Sequence, residues 1–232
     1  MIDTLTEAHV ERVTPLTDSI LQLILKPDEY IDYQAGQYLQ IISGDDAFSY
    51  SIANAPLGSH KYELHIRHSR DNAYNQRLLA EIKQKGRVAI RVPLGECDLS
   101  RLDPCKPILF IAGGAGFAPI KAMIEQLLAD GEPRNFELFW GARSQSDLYM
   151  DDKVAQWRNH VSHFNYFTHL SELSKQTLAS KVLDRHPHDL DAWQVVISGP
   201  FDMVYSTRDV LVAGGVSPMN LFSDAFSFEV KN

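Results

Sequence analysis

Beyond residue 106 the chain settles into a rhythm that few architectures accept. Apolar strands over 108–112, 136–140, 164–168 and 194–198, with a short last strand over 220–222, are interleaved with helical stretches over 119–128, 151–159 and 203–213. Apolar runs without polar alternation suit strands buried on both faces, and helices between them make a parallel sheet covered on both sides. In the stretch 119–128, Ile120, Met123, Ile124 and Leu127 recur at helical spacing and Gly131 stops the helix.

The first hundred residues obey a different rule. Segments 10–13, 20–25, 38–42, 50–53, 62–68 and 88–92 are rich in β-branched and aromatic residues, and turn residues such as Lys26-Pro27-Asp28, Ser43-Gly44-Asp45-Asp46 and Pro56-Leu57-Gly58 separate them. Six short strands at this spacing predict a small antiparallel β-barrel. One helix interrupts them over 72–85, with Leu78, Leu79 and Ile82 on one face and Gly86 at its end. The expected organisation is a six-stranded barrel over 1–100 and an α/β parallel-sheet domain over 101–232, joined near 97–106. No repeat or low-complexity tract breaks this division.

Charge and cysteine content exclude several functions. A net charge of −8 leaves no diffuse basic surface for nucleic acid, although local cations remain able to hold one small anion. The two cysteines, Cys97 and Cys105, form no CxxC pair, which rules out an internal iron–sulfur cluster or a cysteine-rich zinc site. They flank the domain junction, where a disulfide is possible but unneeded, and they read more simply as reduced thiols of a cytoplasmic protein. The amino-terminal stretch is acidic and has no long apolar core, so no signal peptide is expected, and no apolar run approaches the ~20 residues that span a bilayer. None of the nine histidines stands in an HExxH arrangement, and no metal site is expected. Ser51 lacks a G-x-S-x-G elbow, so it does not read as a nucleophile.

What remains is a set of glycine turns at strand ends. Gly113-Gly114-Ala115-Gly116 follows the strand over 108–112, and Ser198-Gly199-Pro200-Phe201-Asp202-Met203 follows the strand over 194–198. Such turns bring a ligand's phosphate close to main-chain N–H groups at a helix start. They also serve tight strand-to-helix packing without any ligand, and the first loop is neither G-x-G-x-x-G nor a P-loop. Two of them at the carboxyl ends of one parallel sheet lie where open α/β sheets bind ligands. Arg143, after Gly141 at the end of a third strand, adds a cation at the same edge.

Read in order, Gly36-Gln37-Tyr38, Tyr50-Ser51-Ile52-Ala53-Asn54, Pro93-Leu94-Gly95-Glu96, Gly113 to Gly116, Gly141-Ala142-Arg143 and Ser198 to Met203 resemble the ferredoxin–NADP reductase superfamily. The likeness runs from about Gln37 to Phe228, and the ending Leu221 to Phe228 is similar to that of compact bacterial NAD(P)H:flavin oxidoreductases. The resemblance implies a barrel for flavin, an α/β domain for NADH or NADPH, and a flavin ring in the cleft between them. It implies that the Ser51 hydroxyl hydrogen-bonds near flavin N5, with Tyr50, Ile52, Ala53, Asn54, His65, Arg67 and Tyr74 completing the flavin site. Gly113, Gly114, Ala115, Gly116, Pro119 and Arg143 fall to the nucleotide, and Gly199, Pro200, Phe201 and Met203 frame nicotinamide and ribose. Phe226 covers part of the cleft.

Departures from the family pattern bear on how flavin is held. The arginine of the family's R-x-Y-S is Phe48 here, and the segment Arg70 to Asn75 carries no glycine where tight FAD binders have several. Losing one charge-assisted contact costs about 1.5–3 kcal/mol, or roughly ten- to hundredfold in affinity. Arg67 and Arg70 are candidates to replace part of that charge. The expected activity is therefore an NAD(P)H:flavin oxidoreductase whose flavin (FMN, riboflavin or FAD) comes and goes as a substrate and passes electrons to a downstream acceptor such as a flavin-dependent enzyme. The alternative is a tightly flavinylated reductase serving a separate iron–sulfur protein or oxygenase; a nucleotide- or flavin-binding regulatory module without turnover is a third reading, encouraged by Phe48 and by Ala115 and Ser198 where relatives often carry threonine and cysteine. Ser144 to Asp147 offer no cation cluster for a 2′-phosphate, which leans toward NADH or dual use.

Overall fold

The computed structural model describes residues 3–68 and 73–228. The chain forms two compact units, residues 1–99 with 121–131 and residues 100–120 with 132–232.

The first unit is built on β1 (Thr4–Thr17), β2 (Ile20–Pro27), β3 (Tyr38–Ser43), β4 (Asp46–Ser51), β5 (Tyr62–Arg67), α1 (Ala73–Lys85) and β6 (Arg87–Leu94). Its six strands pair antiparallel in the order β4-β3-β6-β1-β2-β5. An antiparallel bridge from Ile52 to Leu64 links the two outer strands of this order and closes the barrel. Leu23, Leu25, Leu39, Ile41, Tyr62, Leu64, Ile66, Ile90 and Val92 fill its core, and Leu78 and Ile82 of α1 join them, as their helical spacing predicts.

Two boundaries differ from expectation for clear reasons. β1 runs from Thr4 although only 10–13 was expected, because half of its residues are exposed and it lacks the apolar alternation that marks a strand. β4 starts at Asp46 and ends at Ser51, whereas 50–53 was expected. The hairpin turns on Gly44 and Asp45, with Gly44 at φ +61° and Ser43 paired to Asp46, so the strand begins directly after the turn.

The second unit holds β7 (Ile108–Gly113), the start of α2 (Phe117–Ala129), β8 (Phe136–Ala142), α3 (Asp151–His160), β9 (Phe164–Leu170), α4 (Leu178–Arg185), β10 (Gln194–Ser198), α5 (Phe201–Ala213) and β11 (Leu221–Phe222). The five strands are parallel in the order β11-β10-β7-β8-β9. Chain order therefore reverses direction at β7, with β8 on one side and β10 on the other. Helix α4 had no counterpart in the sequence reading; it is two turns long and capped by Thr177, whose hydroxyl accepts from the Ser180 N–H. Helix α5 starts at Phe201, two residues before the expected start, directly after Pro200. Among the described residues no helix is long and apolar enough to cross a membrane, and both cysteines are free thiols.

Candidate functional site

In the first unit the site builds outward from β4. Phe48 and Tyr50 point inward and pack against the barrel core, and burial pushes the Tyr50 phenol up to about 12. Alternation then sets Ser49 and Ser51 on the outer face. Ser51 is half-buried, and among the described residues its hydroxyl has no hydrogen-bond partner. Such a group both donates and accepts, which suits a ligand atom that exchanges those roles.

The three residues after Ser51 are held from within. Ile52 N–H donates to Gln37 O at 3.0 Å and Ala53 N–H to Glu63 O at 2.7 Å, and both residues are fully buried. The Asn54 side chain donates to Lys61 O at 3.0 Å and accepts from Glu63 N–H at 2.8 Å, while Tyr33 Oη donates to Asn54 O at 2.7 Å. These backbone donors are spent on the fold, so the segment supplies shape and rigidity rather than hydrogen bonds.

His65 was expected to face the flavin. Its side chain is wholly buried, and Nε2 lies 2.8 Å from Glu63 Oε1. Burial pushes the imidazole below its ordinary value, and the Glu63 hydrogen bond offsets only part of that. The neutral ring thus donates to a carboxylate. Burial opposes the charged form of Glu63, but the His65 hydrogen bond and the Lys121 charge hold it down at about 2. Arg67, two residues on along β5, shares the outer face and is exposed. The Tyr74 side chain and all of Arg70 lie outside the described residues.

Sequence reasoning missed the residues that surround this segment. Lys121 of α2 is 1% exposed and donates to Ala53 O at 2.8 Å and Glu63 Oε2 at 3.2 Å. It also pairs with Glu125 at 3.0 Å. The available signal was a lysine set among the apolar residues of a helix, with a glutamate four positions later.

In the second unit the glycine turns meet each other at the reversal point between β7 and β10. A Cβ on Gly116 would collide with the backbone of Ser198 and Gly199, and one on Gly113 would meet the Met203 methyl. Gly199 sits where a Cβ would come within 3.2 Å of the Gly113 backbone. Close loop packing thus accounts for these three. Gly114 differs: at φ +52° it needs the left-handed region, and a Cβ there would meet nothing within 4 Å. Its carbonyl accepts from Trp140 Nε1 at 3.0 Å, and Phe117 stacks on the Trp140 ring at 4.0 Å. The turn is therefore rigidly supported and open at Gly114 beside the start of α2, as an anion-binding turn requires.

Ala115 is half-buried in the same turn, and Pro119 is buried in the first turn of α2, where it packs rather than faces solvent. Arg143 is 67% exposed and its Nε lies 3.3 Å from Asp147 Oδ2. Pro200 is exposed and Phe201 is 52% exposed. Met203 fills the space over Gly113 and Gly199. Phe226 is half-buried against this unit's core, with the Arg208 guanidinium 5.6 Å from its ring centre, and Tyr205 Oη donates to Ala225 O at 2.8 Å to anchor the tail.

Comparison with known proteins agrees with this geometry. The model of the oxidoreductase NAD-binding domain matches residues 110–209. A CDP-6-deoxy-L-threo-D-glycero-4-hexulose-3-dehydrase reductase of Yersinia pestis is 33% identical over 90% of this chain, which spans 64% of that protein's length. A probable flavin reductase of Vibrio harveyi is 28% identical, with 94% of this chain matched to 98% of that protein. The ferredoxin reductase in carbazole 1,9a-dioxygenase shares the fold at a TM-score of 0.80 and 22% identity, covering 97% of this chain and 70% of that one. A six-stranded antiparallel barrel, a parallel sheet with an open glycine turn at its reversal point, and these relatives agree: residues 110–209 form an oxidoreductase NAD-binding domain, and the chain has a ferredoxin reductase-like fold.

Proposed function

We propose that the protein is an NAD(P)H-dependent flavin reductase acting in the cytoplasm, with flavin bound by residues 1–100 and the pyridine nucleotide by residues 101–232. In this reading FMN, riboflavin or FAD is a weakly held substrate released in reduced form to a downstream acceptor. The bound pair supplies the chemistry, a hydride moving from nicotinamide C4 to flavin N5. The protein supplies position. Ser51 presents its hydroxyl to the ring, Tyr50 stiffens β4 from inside the barrel, and Arg67 offers charge on the same outer face. Gly114 and the start of α2 receive a phosphate, Arg143 stands at the same sheet edge, and Pro200, Phe201 and Met203 frame the nicotinamide, with Phe226 beside them.

The observation that carries the reading is Phe48. It packs against the barrel core, and it stands where the family this chain resembles carries an arginine for the flavin phosphate. In this reading the flavin ring is held and its phosphate end is weakly bound. The test is oxidation of NADH and NADPH, with and without added riboflavin or FMN, on protein whose bound flavin has been quantified. Saturable stimulation by free flavin, with sub-stoichiometric bound flavin, is expected.

The second reading, a reductase that keeps its flavin and serves a separate iron–sulfur protein or oxygenase, is favoured by the names of the Yersinia relative and of a terephthalate 1,2-dioxygenase reductase component of Comamonas, 31% identical. Stoichiometric flavin that survives dialysis, with no stimulation by free flavin, would establish it.

A further inference from the structure

We propose that Lys121 is a positioning residue for flavin: from α2 it clamps the segment that follows Ser51 and keeps the polar layer beneath it fixed. The proposal rests on the flavin reading above. The Lys121 ammonium donates to Ala53 O at 2.8 Å and Glu63 Oε2 at 3.2 Å and forms an ion pair with Glu125 Oε1 at 3.0 Å. Glu63 Oε1 in turn accepts from Gln22 Nε2 at 2.7 Å and His65 Nε2 at 2.8 Å. Glu125 Oε2 accepts from Ala55 N–H at 3.3 Å. One turn of α2 therefore holds Ala53 by its carbonyl and Ala55 by its N–H, and Asn54 between them is held by Tyr33 and Glu63.

A cluster of one buried ammonium and two partly buried carboxylates is a poor source of net stability, because desolvating the charges offsets their attraction. What the cluster does provide is a fixed register for residues 53–55, and through them for Ser51 on the outer face. The Ile52–Leu64 bridge is antiparallel. Carried one residue further, that register sets Ser51 across from His65 on the same face. The charged groups around the imidazole are Glu63 from its own strand and Lys121 and Glu125 from α2, with neutral Gln22 from β2. Burial chiefly, and the Lys121 charge with it, disfavour a proton on His65 beside the two carboxylates.

The experiment compares wild type, Lys121→Met, Lys121→Arg and Glu125→Gln. Riboflavin binding is read by quenching of its fluorescence, and steady-state kinetics with NADH are run across about pH 6 to 9. Methionine preserves length and helix propensity. Lys121→Met is expected to weaken riboflavin binding and raise the flavin KM by about tenfold, with the NADH KM unchanged to within about twofold. It also introduces a pH dependence of riboflavin binding near neutrality, as His65 becomes protonated beside Glu63 and Glu125. Lys121→Arg restores most of the affinity and removes that pH dependence.

Glu125→Gln, which keeps an acceptor for Ala55 and relieves one negative charge, shifts riboflavin binding by about threefold and remains informative if Lys121→Met does not fold. Folded Lys121→Met with wild-type riboflavin affinity and pH profile overturns the role, as does an equal rise in both KM values. With unfolded Lys121→Met, a Glu125→Gln affinity equal to wild type overturns it. Wild-type protein that neither binds nor reduces riboflavin overturns the flavin reading and this role with it, whereas a working wild type beside an unaffected variant overturns this role alone.

Discussion

Ile52 bridges Leu64 in antiparallel sense, and this contact joins the two outer strands of the barrel's six-stranded order directly after Ser51. The serine therefore sits at a closed corner, on the outer face, with its backbone fixed on both sides. Removing its hydroxyl changes what a ligand meets and little else. Ser51→Ala is expected to lower kcat/KM for flavin by about tenfold, the worth of one hydrogen bond of about 1.4 kcal/mol, with thermal stability and pyridine nucleotide affinity unchanged. Stopped-flow reduction of flavin and equilibrium titration of NADH separate the two. Equal losses in both would remove Ser51 from its assigned place.

The glycine turns make a sharper contrast. Gly116→Ala forces a methyl into the backbone of Ser198 and Gly199, where nothing soft can yield. Overpacking of this kind costs about 1–3 kcal/mol. Gly114→Ala meets no atom, and its cost comes from the left-handed backbone alone, about 1 kcal/mol. Urea unfolding should rank Gly116→Ala as the less stable. NADH KM should respond to Gly114→Ala more strongly than its stability loss alone would suggest, because that position borders the open side of the turn. A Gly116→Ala protein as stable as wild type would show that the two loops are not locked together.

How far the sequence speaks is clear from particular residues. Ile108 to Ala112 and Val195 to Ile197 are apolar without alternation, and Leu78 and Ile82 share a helical face, so local pattern alone locates the parallel strands and the barrel helix. The glycine loops were legible as strand-end turns, yet their division of labour was not. Gly116 is explained by Ser198, some eighty positions later, and only the folded sheet brings the two together. The polar layer was illegible for the same reason. Glu63 and His65 occupy outward positions of β5, and Lys121 and Glu125 form an i,i+4 pair, both ordinary signatures of solvated surface. α2 covers them, and burial converts surface chemistry into a fixed cluster. The amino-terminal part of β1 is illegible because its buried and half-buried positions are filled by Thr4, Thr6 and Ala8, which carry no strong apolar period.

In the proposed reading, coenzyme preference turns on Arg143 and Asp147. The carboxylate lies 3.3 Å from the Arg143 Nε and also accepts from the Ser144 N–H and hydroxyl at 3.3 Å each. An arginine engaged in this way is poorly placed to bind the 2′-phosphate of NADPH, and the carboxylate repels that phosphate. Asp147→Asn keeps an acceptor for Ser144 and removes the charge. The expected result is a two- to fivefold gain in kcat/KM for NADPH, about the worth of an exposed ion pair, with NADH unchanged. The gain should fade at high salt. No change in the NADPH to NADH ratio would show that Arg143 does not face the ribose.

Far from the glycine turns, His186 offers a stability switch of known sign. Its Nε2 lies 2.9 Å from Glu137 Oε2 and its Nδ1 3.2 Å from Asp189 Oδ1, with the histidine and Glu137 side chains both buried. Burial disfavours the imidazolium, but the hydrogen bonds and charges of Glu137 and Asp189 outweigh it and raise the pKa above its ordinary value. A raised folded-state value means the folded protein holds the proton more tightly than the unfolded chain. The resulting stabilisation is complete below the unfolded value of about 6.5 and is lost as pH rises through the folded value. Glu137→Gln removes the principal carboxylate and should cost about 3 kcal/mol at pH 6, with a clearly smaller loss at pH 9. Urea midpoints for wild type and variant at the two pH values measure this directly. A loss that grows toward high pH would mean that His186 is neutral in the folded protein and that the pair is held by a single uncharged donor.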